Sequence, residues 1–197
     1  MAYPGTCRGR FADADQAAAR TGCSPAWRLK VDGESIEIAD RFAGPGTFHL
    51  DGLCGDFVIF RKSEGAAYQL AVVVDDADAG VDAIVRGDDL LDSAARQKHL
   101  RRALGIEAEP TYWHLPLVLG ADGRRLAKRH GDTRLSYYRG RGTPAERILG
   151  LIGYFSGVIP APKPLELSEL LERFDIERMP RQPVVFTQAD DDFLLGR

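Results

Sequence analysis

The sequence predicts an α/β fold that gives way to a small helical region at its end. Three observations carry this. "DFVIFRK" (56–62) and "TYWHLPLVLG" (111–120) are apolar, β-branched and aromatic runs bounded by turn residues, as buried strands are. "YQLAVVVDD" (68–76) is a near-continuous apolar run ending in two aspartates, which reads as a strand buried on both faces. After residue 141 the apolar residues recur at helical spacing instead.

The elements follow in order. "ADADQAAARTG" (12–22) reads as a short alanine-rich helix stopped by Gly22. "AWRLKV" (26–31) and "ESIEIADRF" (34–42) alternate as strands, joined by a turn at Asp32-Gly33. The glycine-rich "AGPGTFHLDGLCG" (43–55) reads as loop. "DAIVRG" (82–87) is a short strand, and helix "DSAARQKHLRRALG" (92–105) follows, with Asp92 or Ser93 as N-cap and Gly105 as stop. "TPAERILGLIGYFSG" (143–157) is an amphipathic helix with Thr143 as cap and Pro144 in its first turn. "PAPKP" (160–164) is a linker, "LSELLERF" (167–174) a second helix, and the tail is extended and then helical. The predicted divisions are 1–55, 56–140 and 141–197. In open α/β sheets ligands bind beyond the carboxyl ends of the strands. That rule gathers Asp75-Asp76, Arg86-Gly87 and the segment after Leu119 around one crevice.

Composition excludes several classes. The chain has 197 residues, 44% hydrophobic and 28% charged, which is globular rather than disordered. No apolar run approaches the ~18 residues of a membrane span, and the N-terminus has no apolar signal region, so no membrane partner is expected. Three cysteines at wide spacing, Cys7, Cys23 and Cys54, argue against a disulfide framework and for the reducing cytoplasm. The net charge is −3, yet Arg124–Arg147 holds eight basic residues (124, 125, 128, 129, 134, 139, 141, 147) against Asp132 and Glu146. Such a stretch can hold a polyanion locally, or it can be a solvated face.

Within it lies "GRRLAKRHGD" (123–132), two basic pairs enclosed by glycines, which could grip phosphate or form a basic turn. Three stretches together, "YPGTCR" (3–8), "YQLAVVVDDADAGVDAIVRGDDLLDSAARQ" (68–97) and "YWHLPLVLGADGRRLAKRHG" (112–131), resemble the class I glutamyl-tRNA synthetase group. They are most similar to its short branch, the glutamyl-queuosine tRNA(Asp) synthetases. "RLAKR" (125–129) looks like that group's KMSKS signature. The resemblance implies the C-terminal part of a class I aminoacyl-tRNA-synthetase catalytic domain of Rossmann type, followed by helices.

It also implies roles. Lys128 would contact ATP phosphates and stabilise adenylate formation, with Arg125 and Arg129 beside it. A mobile ammonium suits charge developing on leaving pyrophosphate. Ala127 stands where the signature has serine, and Arg125 where it has lysine. Tyr68 and Arg86 would hold glutamate, whose side-chain anion suits a bidentate guanidinium. Tyr3 and Cys7 match two ligands of a zinc site. The other two, a preceding Cys-x-Cys pair, are absent, and two donors cannot close a tetrahedral site. The implied substrates are glutamate, ATP with Mg2+, and the tRNA(Asp) anticodon stem-loop, contacted through Arg96–Arg102 and Arg124–Arg147.

No "HxGH" string occurs, and His49, His99, His114 and His130 are isolated. The HIGH-type half of the fold is therefore expected to lie outside this chain, leaving the sheet an exposed, aggregation-prone edge. Three readings follow: a glutamate-activating, tRNA-modifying ligase; a non-catalytic tRNA-binding remnant; or a fragment of a glutamyl-tRNA synthetase charging tRNA(Glu).

Overall fold

A computed structural model describes residues 2–62, 65–127 and 133–197. The chain divides into two compact units, Met1–His114 and Leu115–Arg197.

The first unit begins with helix α1 (Ala14–Thr21), capped by Asp13, whose carboxylate accepts the Gln16 amide at 2.7 Å. Gly22 ends it at φ 73°, the left-handed geometry glycine adopts without a steric cost. Strands β1 (Trp27–Leu29) and β2 (Ser35–Asp40) form where alternation predicts them. They are not partners, however. β2 pairs antiparallel with β3 (Gly44–His49), from Ser35↔His49 to Asp40↔Gly44. The predicted loop 43–55 is thus a strand followed by the short helix α2 (Leu50–Leu53). The reversal is closed by Asp40, whose Oδ1 accepts the amides of Phe42 and Ala43 at 2.9 and 2.6 Å. That carboxylate makes a tight turn which glycine and proline content alone does not reveal.

β1 pairs instead with β4 (Phe57–Arg61), and β4 pairs with the two-residue β5 (Gly65–Ala66), all antiparallel. The next segment corrects a sequence expectation. Residues 68–76, predicted as a buried strand, belong to helix α3 (Tyr68–Asp78). Only one face is covered: Val73 is buried and Leu70 packs on the same core, while Val74 is exposed. Spacing 70, 73 fits a helix face, so packing overrides the β preference of three consecutive valines. Asp75 and Asp76 therefore lie on a helix, not at a strand's carboxyl end.

Strand β6 (Ala83–Gly87), a 3-10 turn (Asp88–Leu90) and helix α4 (Leu91–Leu104) follow. The N-cap of α4 is Leu90, without a side-chain cap bond. Asp92 pairs with Arg96 at 2.7 Å, and buried Ser93 accepts from Gln69 Nε2 at 3.1 Å, so neither is the predicted cap. Gly105 ends the helix at φ 70°, as expected. The run 111–120 breaks at Pro116 into β7 (Thr111–Leu115), which neighbours β6, and β8 (Val118–Leu119). The core of this unit gathers Ile36, Ile38, Leu50, Phe57, Val73, Leu100 and Tyr112.

In the second unit β8 pairs in parallel with β9 (Val184–Val185). Helices α5 (Leu135–Gly140), α6 (Ala145–Phe155), α7 (Leu167–Arg173) and α8 (Gln188–Leu195) supply two small cores. Thr143 does not cap α6; its hydroxyl donates to the Leu194 carbonyl at 3.0 Å and ties α8 in place. Among the described residues no helix is long and apolar enough to cross a membrane.

Candidate active site

Arg86 is the predicted glutamate ligand with the most defined surroundings. It lies on β6, half-buried, and its neighbour in the sheet, β7, alternates so that Tyr112 and His114 both face inward. Arg86 Nε donates to His114 Nε2 at 2.9 Å, and its Nη2 donates to the Leu90 carbonyl at 3.3 Å. The guanidinium carbon stands 5.5 Å from the Tyr112 ring centroid, within cation–π range. Behind it, His114 Nδ1 meets Asp40 Oδ2 at 2.6 Å, with both side chains fully buried. Burial works to raise the Asp40 pKa. Hydrogen bonds from His114 and from the amides of Ala43, His114 and Phe42 outweigh it, so the carboxyl is held below its ordinary range. Burial pushes the Tyr112 phenol up, against the pull of Arg101 and Arg86.

Asp40 was not marked as a site residue by the sequence, and His114 only as an isolated histidine. Alternation along 111–115 was the available signal for His114, since it puts that ring on the same face as Tyr112. Nothing local singles out Asp40.

Tyr68 opens α3 with half its surface exposed. Among the described residues no hydrogen bond, ion pair or ring contact joins it to Arg86. Arg125 is exposed in the second unit, on a tight reversal: Leu119 and Arg125 form a bridge, the Leu126 amide donates to the Val118 carbonyl at 2.8 Å, and Gly123 turns the chain at φ 72°. Lys128 and Arg129, the expected phosphate ligands, lie outside the described residues.

Tyr3 and Cys7 do come together, through the Cys7 amide donating to the Tyr3 hydroxyl at 2.7 Å. They are two donors where a tetrahedral zinc takes four, and the Arg28 guanidinium covers the Tyr3 ring at 3.9 Å. Among the described residues no cluster of three or more His, Cys, Asp or Glu side chains could hold a metal ion.

The basic residues proposed to meet RNA divide sharply. On α4, Arg101 is buried and donates to the Ala108 carbonyl at 3.0 Å, Arg96 is paired with Asp92, and Lys98 is paired with Glu109 at 2.7 Å. Only Arg102 of that group is exposed. In the second unit Arg147 is tied to the Phe193 carbonyl, whereas Arg124, Arg125, Arg134, Arg139 and Arg141 are exposed.

Residues 1–190 match the family described as tRNA synthetases class I (E and Q), catalytic domain. The chain is 47% identical over 183 residues to a glutamyl-Q tRNA(Asp) synthetase of Symbiobacterium thermophilum, covering 93% of this chain and 56% of that protein. A protein of the same name from Nocardia farcinica is 44% identical over 188 residues, covering 94% of this chain and 57% of its own length. The chain thus spans a little over half the length of these relatives. In shape it is similar to a glutamate tRNA ligase of Elizabethkingia meningosepticum solved in complex with its amino acid. There the TM-score is 0.75 at 20% identity, over 98% of this chain and 44% of that one. Matched over residues 1–190, the chain belongs to the class I tRNA synthetase (E and Q) catalytic-domain family.

Proposed function

We propose that this chain carries the glutamate-binding part of a ligase that activates glutamate with ATP and transfers it to the queuosine base at the wobble position of tRNA(Asp). The observation that carries the reading is Arg86, half-buried and anchored at Nε, with N–H groups left for an anion. The relatives share the name glutamyl-Q tRNA(Asp) synthetase, which supports the tRNA assignment.

The reaction runs in two steps. A carboxylate oxygen of glutamate attacks the α-phosphorus of ATP, forming glutamyl-adenylate as pyrophosphate leaves. A hydroxyl of the modified base then attacks the acyl carbon, and AMP departs with the bonding electrons. In this scheme Arg86 binds and orients the glutamate side-chain carboxylate by paired hydrogen bonds. Tyr68 offers a phenol hydroxyl at the opening of α3. Lys128, with Arg125 and Arg129, follows the charge on the departing pyrophosphate. Mg2+ arrives with the nucleotide. The exposed arginines of the second unit supply phosphate contacts to the anticodon stem-loop. The cytoplasm is the proposed compartment, and the three cysteines are free, in keeping with it.

The test is ATP-dependent transfer of labelled glutamate by the polypeptide that carries this chain. The acceptors are tRNA(Asp) with queuosine, tRNA(Asp) without it, and tRNA(Glu). Label on the first alone is expected. Label on tRNA(Glu) would replace the tRNA assignment, and tRNA binding without pyrophosphate release would replace the ligase reading.

A further inference from the structure

The guanidinium of Arg86 reaches the hairpin of β2 and β3 through one buried ring. Its Nε carries a proton and no lone pair, so His114 Nε2, at 2.9 Å, must be the acceptor. The imidazole proton therefore sits on Nδ1, where it donates to Asp40 Oδ2 at 2.6 Å. One tautomer satisfies both contacts, and it is the neutral one. Asp40 is itself held by backbone: its Oδ1 accepts the amides of Phe42, Ala43 and His114 at 2.9, 2.6 and 3.2 Å. The line of bonds thus runs from a hairpin corner, through a carboxylate and a ring, to the guanidinium.

We propose that Asp40 and His114 are positioning residues that hold Arg86 in the orientation in which it receives a carboxylate. The proposal deepens the glutamate-binding reading of Arg86 and rests on it. Arginine has five N–H donors. Nε is engaged by His114 and one Nη2 hydrogen by the Leu90 carbonyl, leaving both Nη1 hydrogens and one on Nη2 without a partner among the described residues. A carboxylate takes two parallel bonds from such a fork. Anchoring Nε removes side-chain freedom before the anion arrives, so less ordering remains to be done on binding. His114 and Asp40 touch no substrate; they act through Arg86.

The experiment uses the whole chain, 15N-labelled, with L-glutamate as the probe. Long-range proton–nitrogen spectra should show His114 protonated at Nδ1 and bare at Nε2, and the Arg86 Nε–H exchanging slowly with water. Two variants separate positioning from simple packing. His114→Asn keeps an N–H toward Asp40 but removes the acceptor for Arg86, and should weaken glutamate binding about tenfold or more. His114→Gln places an amide oxygen where Nε2 stood but gives up the bond to Asp40, and should weaken glutamate binding clearly less than His114→Asn does, by about threefold. A proton on Nε2, an Arg86 Nε–H that exchanges like an exposed arginine, or equal glutamate affinity in both variants would overturn the proposal. Should the unsubstituted chain fail to bind glutamate, the glutamate reading of Arg86 falls by itself. The ring tautomer and the Arg86 exchange rate would then still decide whether the relay holds that side chain.

Discussion

Gly150 lies so close to Lys163 that a Cβ built on it would stand 1.8 Å from the Lys163 carbonyl oxygen. The end of the 160–164 linker is laid against α6 there, and just beyond it the Leu165 amide donates to the Glu146 carbonyl at 2.9 Å. Gly150→Ala is therefore expected to lower stability by about 3 kcal/mol or more, since backbone cannot yield as a flexible side chain can. Helix propensity alone predicts the reverse, a gain of about 1 kcal/mol. The denaturant midpoint of the variant distinguishes the two signs.

Asp40 links stability to acid. Its folded pKa lies below the ordinary 3.8, because hydrogen bonds to the carboxylate outweigh burial. A depressed folded pKa means a contribution fully present above the unfolded value. It is lost as pH falls below 3.8 and through the lowered folded value. Thermal midpoints measured from pH 6 down to about pH 2.5 should fall in that window. In Asp40→Asn the fall should be shallower, from a lower starting point, because the buried ring loses its anionic partner.

Arg86→Lys keeps the charge and loses the fork. An ammonium cannot both donate along the Nε direction to His114 and present two parallel N–H groups to a carboxylate. The KM for glutamate should rise about tenfold or more, with the KM for ATP unchanged. Equal rises in both would place Arg86 outside the amino-acid pocket.

The capping box that starts α8 gives a test independent of any ligand. The Thr187 hydroxyl accepts the Asp190 amide at 3.4 Å, and Asp190 Oδ2 accepts the Thr187 amide at 2.7 Å. Thr187→Ala should cost about 1 kcal/mol. A midpoint unchanged from the parent would mean that the packing of Leu194 holds α8 without its cap.

Exposure separates the arginines that can meet RNA from those that cannot. Arg139→Ala and Arg141→Ala should each reduce the slope of log affinity for tRNA against log salt by about 0.7 to 0.9. Arg101 is buried on the Ala108 carbonyl, so Arg101→Met should leave that slope unchanged while lowering stability.

The sequence by itself determined several of the local elements and the family. Asp13 and Gly22 bound α1, Gly105 stops α4, and "DAIVRG" is a strand, because caps, left-handed glycines and short apolar runs act over a few residues. The stretches 3–8, 68–97 and 112–131 were enough to mark the tRNA synthetase resemblance that the comparisons bear out. Tertiary structure decided what a local pattern leaves degenerate. A run of three valines suits a strand or one face of a helix, and the core against Val73 chose the helix. β1 and β2 were adjacent in sequence and yet took β4 and β3 as partners, because an Asp-Gly turn permits a hairpin without enforcing one. The line from Asp40 through His114 to Arg86 joins residues 74 and 28 positions apart. No short-range pattern encodes such a contact; it exists only once β2, β6 and β7 have folded around one buried ring.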